Sequence, residues 1–208
     1  MRNWSDSTPW PVVGFTLSYI VLAGAVVLVR GNGEFVVYVC VMLVLLGLLA
    51  LVHKKVRLPS ALLWCFSLWG LMHMAGGLLE CPAGWPTKEG SSRVLYNLWI
   101  IPSLFKYDQL THVFGFGVTT WLCWRLYVFM VRDAGGEPRP GFGALTLCAA
   151  GGMGYGALNE IIEFVATLTL PETNVGGYAN TGWDLVANLV GSVGAAVWIG
   201  LAHRAPRD

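Results

Sequence analysis

The chain has 208 residues, of which 55% are hydrophobic and only 12% are charged. A soluble globular domain carries about 25% charged residues, so the composition excludes a disordered chain and an ordinary cytosolic enzyme. The formal net charge is +1, which gives no attraction to anionic polymers and excludes a nucleic-acid partner. The composition therefore predicts a membrane protein, with membrane lipid as its surroundings.

Long apolar runs predict how the chain crosses the membrane. A helix needs about 20 mostly apolar residues to span the hydrocarbon core, and unalternating runs indicate helices and not barrel strands. We therefore expect an all-α, polytopic bundle of six transmembrane helices in a single domain of residues 1–208. The fifth run exceeds the bilayer thickness, which predicts a tilt, a kink or a part outside the membrane. The predicted helices are 11–29, 35–52, 61–79, 108–131, 141–170 and 184–202.

The distribution of basic residues predicts the orientation. With six crossings, both termini and the second and fourth loops share one side, and that side holds most of the Lys and Arg residues. The positive-inside rule makes that side cytoplasmic, so we expect both termini inside. The basic residues on that side are Arg2, Lys54, Lys55, Arg57, Arg132, Arg139, Arg204 and Arg207.

The loop 81–107 is then external and rich in aromatic and aliphatic residues. Its segment Ser92 to Phe105 is expected to lie in the membrane interface as an amphipathic segment. It would either cover a polar site or serve as a plain interfacial anchor.

Small residues recur in the later predicted helices. Gly152 and Gly156 are four apart in the fifth helix, and Gly191 and Ala195 are four apart in the sixth. Such spacing lets helix backbones approach closely, so we expect a tight bundle there.

Ionisable residues inside the predicted spans are the candidates for chemistry, because each costs at least about 2.5 kcal/mol there. Spacings of three or four residues put each pair on one helix face. With a rise of about 1.5 Å per residue, all of them fall in the outer half of the bilayer. The pairs are Asp108 with His112, Glu160 with Glu163, and Asp184 with Asn188; the third helix adds His73.

A divalent metal ion would reconcile several carboxylates in one apolar site, where like charges otherwise force protonation. Carboxylate and His ligands from facing helices build metal sites in bundles, and this set suits Zn, Mn or Fe. Asn159 and Asn188 could orient the ligands. The predicted metal ligands are Asp108, His112, Glu160, Glu163, Asp184 and His73.

Other interpretations of these residues stay open. The polar groups could satisfy one another in a structural network, or relay protons for transport. Asp108 and Asp184 sit at predicted helix starts, where an acid can cap free N–H groups. A lone His73 can equally be a packing residue.

Three blocks carry a family resemblance. The segments YDQLTHVFGFG (107–117), NEIIEF (159–164) and TGWDLVANLVG (181–191) resemble the YjdF-like bacterial inner-membrane proteins and, more distantly, the VanZ-like proteins. The resemblance covers residues 71–194 and implies a membrane bundle with this polar cluster at its centre. It departs at Glu163, where the VanZ-like pattern has Gln.

Three functions are compatible with this reading. The first is a metal-dependent hydrolase or transferase on a lipid or lipid-linked substrate, with Glu160 or Glu163 as general base. The second is a proton- or ion-coupled transporter that uses the same acids. The third is a non-catalytic subunit of a membrane complex; a homo-oligomer is equally open.

Overall fold

A computed structural model describes residues 9–31, 33–88, 91–171 and 173–203. Arg2, Arg204 and Arg207, which entered the orientation prediction, lie outside these residues. Six long helices make up most of the described chain, and the loop between the third and fourth contains a short 3₁₀ helix and two strands. The elements are α1 (Trp10–Arg30), α2 (Gly33–Val56), α3 (Ser60–Leu78), the 3₁₀ helix (Leu95–Asn97), β1 (Trp99–Ile101), β2 (Phe105–Lys106), α4 (Tyr107–Asp133), α5 (Phe142–Thr169) and α6 (Tyr178–Ala202).

Local sequence explains several helix ends. A proline stands in the first turn of α1, where no N–H bond is lost. Gly31 ends that helix with a left-handed backbone, φ 66°, and its N–H bonds back to the helix carbonyls. Pro59 precedes α3 in an extended conformation. Proline has no backbone N–H to donate within a helix, so it is suited to the position before the first turn.

Most predicted bounds agree with the structure to within one or two residues, and α6 is the main exception. It begins at Tyr178, six residues before the predicted start at Asp184. The extra segment Tyr178–Trp183 contains Asn180, Thr181 and Gly182, residues that are typical of loops. The prediction that Asp184 starts its helix, and could cap it, is therefore wrong.

Five of the six long helices of the described residues are long and apolar enough to cross a membrane, which supports an all-α membrane bundle. The helix that falls short is α5, although it has 28 residues. Its sequence is rich in glycine and carries Asn159, Glu160 and Glu163, which lowers its average apolarity. The six-span count and the sidedness of the termini therefore stay predictions.

The chain divides into two structural units, which we describe separately. The first contains Met1–Thr111 and Glu163–Gly176. Within it, α1, α2 and α3 share an apolar core, and Thr16 and Ser67 form a buried hydroxyl pair 2.6 Å apart. The core residues are Tyr19, Ile20, Ala23, Val27, Phe35, Met74 and Leu78.

The segment Ser92 to Phe105, expected to lie in the membrane interface, contains the 3₁₀ helix and a β-hairpin in the first unit, and its place in the interface stays a prediction. β1 and β2 pair antiparallel, with a bulge between Trp99 and Ile101. The sequence signal was the pair Pro102-Ser103 between two apolar stretches, which is a turn signal. Isolated bridges join Glu80 with Val94 and Thr87 with Leu98, so the loop has an ordered, hydrogen-bonded fold.

The second unit contains His112–Ile162 and Gly177–Asp208, and thus most of α4, α5 and α6. Its apolar core is formed by Trp124, Val128, Cys148 and Ile199. A Cβ atom at Gly191 would overlap the backbone of Val113, and one at Gly156 would lie 2.7 Å from Asn188 Nδ2. The predicted close approach of these helices through small residues is confirmed.

Candidate functional site

The second unit gathers four of the predicted polar residues from three helices. His112 comes from α4, Glu160 from α5, and Asp184 and Asn188 from α6. Their side chains are almost completely buried, with exposed fractions of 2%, 7%, 1% and 0% in that order. Close packing at Gly156 brings α5 against Asn188. We call these four residues the buried polar cluster.

His112 stands at the centre of the contacts within this cluster. Its Nδ1 lies 2.8 Å from Asn188 Oδ1, a hydrogen bond in which the ring N–H donates to the amide oxygen. The same Nδ1 lies 3.6 Å from Glu160 Oε1. With Nδ1 bound to the amide, the lone pair of a neutral ring is on Nε2, which is the form that binds metals.

Asp184 joins the cluster from the second turn of α6. A possible ligand atom of Asp184 lies within 4.8 Å of one on His112, and the same holds for Asp184 and Glu160. Asn180, one turn earlier on α6, donates its Nδ2 hydrogen to Asp184 Oδ2 at 2.6 Å. That hydrogen bond orients the Asp184 carboxylate, and it was missed because the predicted helix began too late.

The chemistry of this donor set fits a divalent cation. Two buried carboxylates at this separation repel each other strongly in a medium of low dielectric constant, and a cation between them would remove that repulsion. The Nδ2 atom of Asn188 is buried, and among the described residues it has no hydrogen-bond acceptor. An N–H group of this kind could donate to a water or ligand oxygen, because an unsatisfied buried donor costs about 1–3 kcal/mol.

Asp108 and Glu163, which were predicted as further ligands, belong to the first unit. Asp108 lies in the first turn of α4, and its Oδ2 is 3.6 Å from the buried Lys106 Nζ. An acid in that position interacts favourably with the helix dipole, as the capping interpretation expects. Along the chain, Asp108 precedes His112 by four residues of α4 and Glu163 follows Glu160 by three residues of α5.

His73 has a hydrogen-bond partner that the sequence did not suggest. Its Nδ1 lies 2.6 Å from the Tyr96 hydroxyl, which donates to the His73 carbonyl at 3.1 Å. Burial raises the pKa of Tyr96 well above its ordinary value, and the negative charges of Asp108 and Glu163 add to the effect. Tyr96 thus stays a neutral hydroxyl against His73, which matches the packing interpretation of this histidine.

Two further polar residues are Asn159, which the sequence predicted, and Glu34, which it did not. Asn159, a predicted orienting residue, is half-buried on α5, and its role stays a prediction. In the first unit, the buried Glu34 accepts hydrogen bonds from the backbone and side-chain nitrogens of Asn174 at 2.9–3.0 Å. An acid at the start of α2 gave no sequence signal because its partner lies 140 residues away.

The chain matches a known protein family. Residues 11–205 match the model of a family described as "Predicted membrane protein (DUF2238)". No curated protein and no solved structure matches the chain.

Proposed function

The chain belongs to the DUF2238 family of membrane proteins, and from this premise we propose that its buried polar cluster binds a divalent cation. The observation that carries the proposal is that ligand atoms of Asp184 lie within 4.8 Å of ligand atoms of both His112 and Glu160, three buried side chains of the second unit. Helices of the same unit supply all three, so no distant loop has to close. Zn, Mn and Fe accept such nitrogen and carboxylate donors.

Each residue of the cluster has a definable part in this proposal. His112, Glu160 and Asp184 would supply ligand atoms. Asn188 would hold the His112 ring by its bond to Nδ1, as outer partners of metal-bound histidines do, and Asn180 would hold Asp184 in the same way. Asp108, Glu163 and His73 remain candidate ligands on sequence grounds, with Asn159 as a further orienting residue.

We further propose a hydrolase or transferase acting on a lipid or lipid-linked substrate. When bound, the cation would supply an activated water or a polarised oxygen. A carboxylate must then accept a proton, and Glu160 or Glu163 is suited to that role by its place on α5. The apolar exterior of the long helices supports a lipid substrate, because such a substrate reaches the protein from the bilayer.

A relay for proton or ion transport is the second candidate. It is favoured by the 3.6 Å approach of His112 Nδ1 to Glu160 Oε1, since a buried acid beside an imidazole is a proton-transfer pair. A non-catalytic role in a membrane complex, or as a homo-oligomer, is the third. We also propose that the protein lies in the bacterial inner membrane and is related to the YjdF-like and, more distantly, the VanZ-like proteins.

Metal analysis of the purified full chain tests the cation site. The protein is supplied with Zn²⁺, Mn²⁺ or Fe²⁺ at neutral pH, dialysed, and its metal content is measured by mass spectrometry. We expect retained metal in the wild type and loss in both His112→Ala and Glu160→Gln. The matched control is Glu137→Gln, since Glu137 is an exposed acid in the same unit, and it should retain the metal.

Two results would overturn the cation site. One is a wild type that retains none of the three metals; the other is equal retention in all four proteins. Helix content by circular dichroism shows that each variant is folded. For the enzyme proposal, metal-loaded protein is incubated with vesicles of a bacterial lipid extract, and release of a headgroup is expected from the wild type and Glu137→Gln only.

A further inference from the structure

The hairpin of the first unit ends in an exposed apolar turn. Leu104 N–H bonds to the Ile101 carbonyl at 3.1 Å, which closes a four-residue turn. Pro102 and Ser103 occupy its centre, and Ser103 has φ 58°. Proline followed by a residue with positive φ is typical of a type II turn, so the tip has a defined shape.

Large apolar side chains surround this turn. Ile100, Ile101 and Leu104 have exposed fractions of 45%, 49% and 59%. A β-bulge lets neighbouring side chains of a strand face the same side. Ile100 and Ile101 are consecutive residues at the bulge in β1, and both are exposed. Residues 99–105 contain no charged side chain. We call Ile100, Ile101 and Leu104 the apolar tip.

The charge next to the tip is turned away from the surface. Lys106 follows the hairpin directly, yet its side chain is buried and lies 3.6 Å from Asp108. Its backbone N–H donates to Gln109 Oε1 at 2.7 Å. Lysine at the end of a short edge strand normally points to water and keeps that edge soluble. Here the hairpin presents only apolar and uncharged groups outward.

Backbone hydrogen bonds fix the hairpin to the ends of two helices. Leu95 N–H donates to the Leu79 carbonyl at 2.9 Å, immediately after α3. Tyr107 N–H, the first of α4, donates to the Leu98 carbonyl at 2.9 Å. The tip therefore keeps a fixed position relative to the ends of α3 and α4 in this unit.

Both helices are among those that can cross a membrane, so their ends mark a membrane surface. The apolar residues Leu79 and Leu110 are exposed at these ends, and backbone hydrogen bonds join the loop that carries the apolar tip to the same ends. From this attachment we infer that the apolar tip inserts into the leaflet at the α3–α4 end of the protein, with lipid as its occupant. It would anchor the ordered loop at the interface, as buried aliphatic side chains do for peripheral helices.

Photo-crosslinking in lipid vesicles tests this inference. A photoreactive phenylalanine analogue replaces Leu104 or Ile101 in the full chain, and adducts are identified by mass spectrometry. We expect lipid adducts from both positions. The control position is Ala83, which is exposed in the same loop but outside the hairpin; it should give severalfold less lipid adduct.

A second pair of variants tests whether the lipid adduct depends on insertion of the tip and not on a disturbance by the probe. With the probe at Ile101, Leu104→Asp should lower the lipid adduct severalfold because a charge opposes insertion, and Ala83→Asp should leave it unchanged. Adducts to a second copy of the chain or to another protein would overturn the inference. So would equal lipid labelling at Leu104 and Ala83 in variants with the helix content of the parent chain.

Discussion

At the scale of single residues, Asn188 is the side chain whose role can be isolated most cleanly. Its Oδ1 holds His112 through Nδ1, and residues that orient metal-bound histidines typically change metal affinity by about 10–100-fold. If the cluster binds a cation, Asn188→Ala should weaken metal binding by about that factor and leave the ligand set intact. Isothermal titration calorimetry of the full chain in detergent gives the affinity.

Ser192→Ala is the matched control for that experiment. Ser192 is also fully buried on α6, one turn after Asn188, and contacts the Phe116 carbonyl instead of a ligand. Its replacement removes a buried polar group without touching His112. Equal affinities of the wild type and Asn188→Ala would contradict the orienting role, and equal losses in both variants would assign the effect to packing.

Tyr96 gives a residue-scale prediction for alkaline pH. Its pKa is raised in the folded protein, mainly by burial, whereas the unfolded chain has the ordinary value of 10.0. Above about pH 10 the unfolded tyrosine loses its proton and the folded one keeps it. Unfolding then releases a proton, so the free energy of unfolding falls as pH rises, by up to about 1.4 kcal/mol per pH unit.

Tyr96→Phe removes this contribution, so its stability should fall less steeply than that of the wild type between about pH 10 and pH 11. Thermal unfolding in detergent at a series of pH values measures the difference. Tyr178→Phe is the control because Tyr178 is almost fully exposed at the start of α6, and it should follow the wild type. A parallel pH profile for Tyr96→Phe and the wild type would refute the prediction.

At the scale of helices, the glycines of α6 differ sharply in what surrounds them. A methyl group at Gly191 would overlap the Val113 backbone, whereas one at Gly194 would have no atom of the described residues within 4 Å apart from its neighbours and its own helix backbone. Overpacking costs about 1–3 kcal/mol, and alanine is favoured over glycine in a helix by about 1 kcal/mol. Gly191→Ala should therefore lower the melting temperature, and Gly194→Ala should leave it unchanged or raise it.

Both substitutions have the same chemistry on the same helix, which makes the comparison internal. A Gly191→Ala protein as stable as Gly194→Ala would show that the second unit relaxes around a methyl group without cost. Because Gly191 and Asn188 are three residues apart on α6, we also expect Gly191→Ala to reduce metal retention. The spacing of these residues places them on one helix face.

The helices show which parts of this fold can be predicted from sequence. Apolar runs located all six, since burial in lipid demands long uninterrupted segments. The start of α6 was misplaced because Tyr178–Trp183 has the composition of a loop, although Asn180 and Asp184 bond to each other across one turn of the helix. Spacing along single helices found His112, Glu160, Asp184 and Asn188. The sequence did not suggest Asn180, Tyr96 and Lys106 as partners. Asn180 shares a helix with Asp184 only because α6 begins at Tyr178, and the fold of the loop positions Tyr96 and Lys106.

At the scale of the whole molecule, α5 is the helix that decides the number of membrane crossings. It is not among the helices of the described residues that are long and apolar enough to span a membrane, but many of its exposed residues are large and apolar, among them Leu147, Leu158, Ile161, Phe164 and Leu168. Glu160 is buried within the second unit instead of facing outward. A helix that buries Glu160 and exposes leucines is compatible with lipid, so we expect six crossings.

The number of crossings determines the sides on which the two termini lie. Six crossings put them on the same side, and five put them on opposite sides. From the excess of basic residues on the shared side, we expect that side to be cytoplasmic. A fluorescent protein that matures only in the cytoplasm should therefore be active when fused at either end of the chain, and a phosphatase that folds only outside should be inactive at both. Inserted at Gly84, in an exposed turn of the loop between α3 and α4, the same reporters should give the reverse result.

An active phosphatase at the C-terminal end, combined with a cytoplasmic N-terminus, would show an odd number of crossings. The acids of α5 would then belong to a helix lying outside the hydrocarbon core, where water could reach them and a cation would no longer be needed to offset their charge.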